Sequence, residues 1–250
     1  MTASWTLRWR SFSLPREGNT PEEYEDALAG NPRTGRFAIA DGASESSFAG
    51  MWAKLLVDGF VASGERRTTV GWLAPLQHRW AEAVDPLDLD WFAEEKRQLG
   101  AFATLLGLSL KKPQGEREGR WKAVAVGDAC IFQVRDDCLL TAFPITRSAD
   151  FGNRPALLGS RALVKVQADA WENAQQNIGK WQAGDRFFLM TDAFAEWFLR
   201  RDEDQRKPWQ SLERRMTEPN AVDALTAYVK ELWRDKELKN DDVTLVVIDL

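Results

Sequence analysis

Hydrophobic and polar residues alternate at the start of the chain, where Trp5, Leu7 and Trp9 interleave with Thr6, Arg8 and Arg10. A period of two predicts a half-buried first strand. Glu25–Ala29 and Phe37–Ala40 read as two short strands joined by the turn-rich Gly30-Asn31-Pro32-Arg33-Thr34-Gly35. Helical spacing then takes over. Trp52, Leu55, Leu56 and Phe60 mark a helix over Phe48–Ser63, Leu73, Leu76, Trp80 and Ala83 mark a second over Val70–Val84, and Trp91–Leu99 forms a third. Past Gly100 the pattern returns to strands, at Phe102–Leu110 and Trp121–Val126, with the polar Lys111–Arg120 as a long hairpin loop between them. Cys130–Val134 and Cys138–Ala142 make another hairpin around Arg135-Asp136-Asp137. After an irregular stretch, Phe143–Gly159, strand character reappears at Leu163–Val166 and Arg186–Met190. Helices follow at Ala193–Arg200, Trp209–Met216 and Ala221–Leu232, and the β-branched run Val243–Ile248 closes the chain as a buried strand.

Strands joined by hairpins, with helices in separate blocks, indicate an α+β fold rather than a regular βαβ winding. Two packed antiparallel β-sheets flanked by helices fit this order. At 250 residues the chain is sized for one domain, 1–250, and 44% hydrophobic with 28% charged residues is the composition of an ordinary globule. Twelve Trp and thirteen Phe against two Tyr read mainly as packing rings. A net charge of −5, with basic pairs scattered along the chain, argues against a nucleic-acid partner. No stretch approaches the ~20 apolar residues of a membrane span, and the N-terminus lacks the apolar run of a signal peptide. Cys130 and Cys138 make no disulfide framework and are expected to be small buried hydrophobes. The expected compartment is the reducing cytoplasm.

Four aspartates share one local setting, a hydrophobic strand meeting a turn. Asp26 lies near the start of a short strand, Asp41 follows Phe37–Ala40, Asp192 follows Phe187–Thr191, and Asp241 precedes Val243–Ile248. Each alone is a common turn or helix-cap residue. Together they can be held close by rigid strand ends. Two like charges ~4 Å apart repel by about 1 kcal/mol in water and about 4 at an effective dielectric of 20, so such a cluster requires cations. Oxygen-only ligation selects hard ions, Mg²⁺ or Mn²⁺. Two of them can share a water, lower its pKa and aim the hydroxide at phosphorus.

The ordered set of motifs resembles the type 2C (PPM) metal-dependent serine/threonine phosphatases. It comprises Glu25-Asp26, Phe37-Ala38-Ile39-Ala40-Asp41-Gly42, Gly100-Ala101-Phe102-Ala103-Thr104, Val126-Gly127-Asp128, Thr191-Asp192-Ala193 and Asp241-Asp242 followed by Val243–Val247. The resemblance implies an α-β-β-α sandwich holding two Mn²⁺ or Mg²⁺ ions. Asp41 would bridge them, Gly42 would offer its carbonyl, Asp192 and Asp241 would complete one ion, and Glu25 and Asp26 would act largely through waters. Arg16 is the candidate phosphate-gripping residue, and Phe143–Gln182 the flap region. The implied substrate is a phosphoprotein and the implied partner a cognate Ser/Thr kinase.

The chain also departs from the family pattern. Ala193 and Ala129 stand where the family has Gly and Ser, Ala43 where some members have a His, and Lys96–Leu99 lacks the acid of a third metal. The only histidine, His78, falls on a predicted helix and reads as a surface or packing residue, while Asp128 reads as a turn former. An active phosphatase and a catalytically weak binding or regulatory module on the same fold both follow from these residues. An unrelated hydrolase or Ca²⁺-binding domain has no supporting Ser elbow, phosphate-binding Gly-Lys loop or EF-hand spacing.

Overall fold

The computed structural model describes residues 7–43, 48–63, 70–88, 91–112, 118–152, 154–161 and 174–250. One antiparallel sheet has the order β1 (Arg8–Leu14), β12 (Val243–Asp249), β11 (Arg186–Met190), β7 (Cys130–Arg135) and β8 (Cys138–Phe143). The second runs β10 (Gln175–Trp181), β6 (Gly119–Val126), β5 (Leu105–Lys111), β3 (Arg36–Ala40) and β2 (Ala27–Asn31). A short pair, β4 (Phe102–Ala103) with β9 (Leu158–Gly159), lies apart from both. Helices α1 (Ala49–Ser63), α2 (Val70–Val84) and α3 (Trp91–Leu99) precede β4, and α4 (Asp192–Glu203), α5 (Pro208–Met216) and α6 (Ala221–Arg234) lie between β11 and β12.

The central strands carry near-continuous apolar runs because both of their faces are covered. In β11, Phe187 and Leu189 face the space between the sheets, while Phe188 and Met190 meet α4–α6. In β12, Val246 and Ile248 point inward, and Val243, Leu245 and Val247 join the α4–α6 side. On the other sheet Phe37 and Ile39 enter the same interior, and Ala38 and Ala40 back onto α1 and α2. The result is a four-layer α-β-β-α sandwich. Each fully buried Phe or Leu contributes roughly 1.5–3 kcal/mol, and Trp52, Trp80 and Trp197 are wholly buried among them. Gly107 of β5 leaves the space into which the Phe60 ring of α1 packs, since a Cβ there would lie 2.3 Å from it.

The order and type of the elements match the expectations, with differences at the edges. The first strand is Arg8–Leu14, its predicted Trp5 and Thr6 lying outside the described residues, as does Leu163–Val166. The end of the expected flap region is instead β10, an edge strand paired with β6 from Gln175↔Ala125 to Trp181↔Gly119. Cys130 is buried as expected, but Cys138 is exposed, because β8 is an edge strand with one open face. The Arg135-Asp136-Asp137 hairpin holds, with both Asp136 (φ 48°) and Asp137 (φ 61°) in the left-handed conformation that a tight hairpin turn requires.

Candidate metal centre

Strand register alone brings the acidic residues to one rim of the sandwich. Ala27 pairs with Ala40, so Asp26 and Asp41 lie side by side. Met190 pairs with both Leu245 and Cys130, which puts Asp192, Asp241 and Asp128 at the same end of the facing sheet. All five predicted metal-site residues, Asp26, Asp41, Gly42, Asp192 and Asp241, therefore sit at this rim. Asp128, in the β6–β7 turn, lies at the same rim and its charge bears on Asp41.

Each carboxylate is held by its own local geometry. Asp26 is 5% exposed, and its Oδ2 accepts hydrogen bonds from Thr191 Oγ1 (2.9 Å) and Thr244 Oγ1 (2.6 Å), both on the opposite sheet. Thr244 Oγ1 also meets the Tyr24 hydroxyl. The Asp41 backbone is pinned to Thr104, its N–H donating to Oγ1 at 2.9 Å while its carbonyl accepts the Thr104 N–H at 2.8 Å. Gly42 bridges to Ala103, and a Cβ on it would stand 2.6 Å from the Glu25 carbonyl, so only glycine permits this approach of the two chains. Asp192 opens α4, where its Oδ1 accepts the Ala193 N–H at 2.6 Å. Asp241 Oδ1 accepts the Asp242 N–H at 3.1 Å.

The electrostatics are those of crowded anions. Burial, followed by the charges of Asp26, Asp192, Asp128 and Asp241, pushes the Asp41 carboxyl well above its ordinary range. Burial does the same to Asp26, adding to the charges of Asp242 and Asp192 and outweighing the two threonine hydroxyls. Burial and the Asp192 charge push Asp128 up to about 7. Asp26 Oδ1 and Asp128 Oδ1 are buried with no hydrogen-bond partner among the described residues. Unpaired buried carboxylate oxygens are costly, and an all-oxygen donor set of this kind fits hard divalent ions. As they stand, no three of the described acidic side chains are close enough to hold an ion.

Two residues with a part in this geometry are not apparent from the sequence. Asp242, 8% exposed, accepts the Arg16 N–H at 2.9 Å and the Glu25 N–H at 2.8 Å, so it ties the loop carrying Arg16 to the acidic pair. Arg16 and Glu25 then share the wall of a cleft of about 470 Å³ beside the rim. The other is Lys239, whose Nζ lies 3.3 Å from Asp192 Oδ2 and 2.7 Å from Asp241 Oδ2. Nothing in a lone Lys three residues after another Lys signals that contact. His78 stands exposed on α2 beside Glu82.

This architecture, two packed sheets between helices, is shared with solved phosphatase structures. Over 98% of the chain and 99% of its counterpart it matches the Mycobacterium tuberculosis serine/threonine phosphatase PstP/Ppp, with a TM-score of 0.59 and 17% identity. The catalytic domain of PstP in complex with two manganese ions matches with a TM-score of 0.57 and 16% identity, covering 98% of each chain. The PPM Ser-Thr phosphatase MsPP from Mycobacterium smegmatis, in complex with cacodylate, gives 0.53 and 18%, covering 98% and 99%. At such identities the likeness speaks for the fold. No curated protein shows a significant sequence match to the chain. Residues 22–231 match the family model described as Protein phosphatase 2C, and the chain belongs to that family.

Proposed function

We propose that the chain is a metal-dependent protein phosphatase that hydrolyses phosphoserine and phosphothreonine. The observation that carries this reading is the convergence of Asp26, Asp41, Asp128, Asp192 and Asp241 from two sheets onto one rim, with two buried oxygens left unpaired. Asp26, Asp41, Asp192, Asp241 and the Gly42 carbonyl are the groups that would hold two Mn²⁺ or Mg²⁺ ions, with Glu25 acting through water. Bound there, the ions would neutralise the phosphate and make a water nucleophilic. The chain's own part is positioning. Thr104 fixes the Asp41 backbone, Thr191 and Thr244 orient Asp26, and Asp242 holds the backbones of Glu25 and Arg16. Arg16, which shares the cleft wall with Glu25, would bind the phosphate as a charge-matched fork. With Ala43 after Gly42, the leaving serine or threonine oxygen takes its proton from water. Residues 1–250 are read as one catalytic domain, acting in the cytoplasm on a phosphoprotein written by a cognate Ser/Thr kinase. No helix among the described residues is long and apolar enough to cross a membrane.

The test is hydrolysis of p-nitrophenyl phosphate and of a phosphothreonine peptide, with Mn²⁺, with EDTA, and by Asp41→Asn. Turnover that requires Mn²⁺ and is lost in a folded Asp41→Asn supports the reading. No turnover from folded, Mn²⁺-bound protein sinks it. A second reading, a catalytically weak regulatory module, draws on one observation, that no three described acidic side chains converge tightly enough for an ion. It predicts that Mn²⁺ raises the melting temperature without turnover.

A further inference from the structure

At Asp192 and Asp241 one oxygen of each carboxylate, Oδ1, already accepts a backbone amide, Ala193 N–H at 2.6 Å and Asp242 N–H at 3.1 Å. The remaining oxygens, both Oδ2, face the same ammonium group, Lys239 Nζ, at 3.3 and 2.7 Å. Lys239 thus spans the two side chains that the phosphatase reading assigns to a single ion. An exposed lysine on one aspartate would mean little. One cation bridging two carboxylates from different elements, the N-terminus of α4 and the loop before β12, is a different arrangement. The Lys239 backbone is fixed, since Trp233 Nε1 donates to its carbonyl at 3.0 Å and the preceding Leu238 is buried. Its side chain is 57% exposed, so the four-carbon stem can swing into solvent without moving the loop. On the opposite side of the rim, the charges that bear most on Asp41 are all acidic: Asp26, Asp192, Asp128 and Asp241.

We propose that Lys239 is a built-in counter-ion at the Asp192–Asp241 side of the centre, and that a divalent ion occupies that side only by displacing it. The two ion positions are therefore unequal. The Asp26–Asp41 side binds first, and the Asp192–Asp241 side fills at a higher metal concentration, so the second occupancy tracks the free ion level. Until then Lys239 keeps the two carboxylates together. The proposal rests on the phosphatase reading for which residues hold ions, but it is tested on binding alone.

The experiment is calorimetric titration of the full chain with Mn²⁺, for the wild type, Lys239→Gln, Lys239→Met, and Lys54→Gln as a remote variant with the same charge change. Two binding events of unequal affinity are expected in the wild type. Both Lys239 variants should tighten the weaker event by about tenfold, the size expected when a unit charge a few ångströms from a divalent ion is removed from a half-exposed site. Lys54→Gln should stay within about twofold of the wild type. In EDTA the Lys239 variants should melt below the wild type, and Mn²⁺ should raise their melting temperatures by more. Unchanged or weaker Mn²⁺ binding in folded Lys239→Gln and Lys239→Met overturns the proposal, as does tightening of equal size in Lys54→Gln. Tightened binding with no turnover in any variant removes the phosphatase reading and leaves the role of Lys239 standing.

Discussion

The two ends of β11 carry buried aspartates in opposite circumstances. Asp185, just before the strand, is fully buried, and the chain supplies everything it needs. Arg135 grips it with two hydrogen bonds of 2.6 and 2.8 Å, Gln133 Nε2 donates at 2.7 Å, and the Gln182 N–H donates at 3.1 Å. At the far rim, beyond Met190, Asp26 and Asp128 are nearly as buried, each with one oxygen unpaired and other aspartates for neighbours. One sandwich therefore holds a carboxylate whose partners are all present and two others that each keep a buried oxygen unpaired among the described residues. The first arrangement serves the fold; the second costs stability, and on the proposed reading that cost is what a metal centre requires.

Substitutions at the two ends should have opposite effects. The largest expected effect is at the unpaired end. Asp41→Asn should lower Mn²⁺-dependent turnover about a thousandfold, roughly 4 kcal/mol of transition-state stabilisation. Its melting temperature in EDTA should be no lower than that of the wild type, because a like charge has been removed. At the paired end, Asp185→Ala should cost about 3 kcal/mol in urea unfolding, because Arg135 and Gln133 lose their partner. Equal behaviour of these two variants in unfolding would abolish the contrast.

A smaller effect concerns pH. Asp128, Asp26 and Asp41 all have folded values above their unfolded ones. The native state thus binds their protons more tightly, so in EDTA the contribution of these three groups to stability is fullest below about pH 4 and that of Asp128 is lost as pH rises through about 7. Asp128→Asn should recover about 2 kcal/mol of that loss at pH 8, as read by urea unfolding across pH. A flat profile in EDTA would show that the rim is not the strained end. Least of all, His78→Ala should change stability by less than about 0.5 kcal/mol and leave turnover untouched, since its ring is exposed and its ion pair with Glu82 is a surface one.

Most of this contrast has a trace in the sequence, but not all. The apolar runs of β11 and β12 announce strands covered on both faces, and the acidic residues at their ends mark the rim. Asp26, Asp41, Asp192 and Asp241 could be grouped because each adjoins such a run. Strand β10 was not legible because Gln175, Gln176, Asn177 and Gly179 show no apolar alternation; as an edge strand it takes its stability from β6. Asp185, Asp242 and Lys239 escaped for another reason. Their importance lies in where their side chains point, and in the sequence they are a Gly-Asp turn, the second of two aspartates and one lysine among many. Cys138 was misread because Leu139 and Leu140 beside it imitate a buried flank, although Leu140 is 48% exposed.

The hydrogen bonds from Thr191 and Thr244 to Asp26 join one sheet to the other at the acidic rim. On the proposed metal-dependent reading the sandwich would work as a caliper, the gap between its jaws setting the spacing of the proposed ligands. A force or a bound partner that slides one sheet by a fraction of an ångström would detune the centre before it disturbed the fold, and an ion seated there would in turn lock the jaws at one setting.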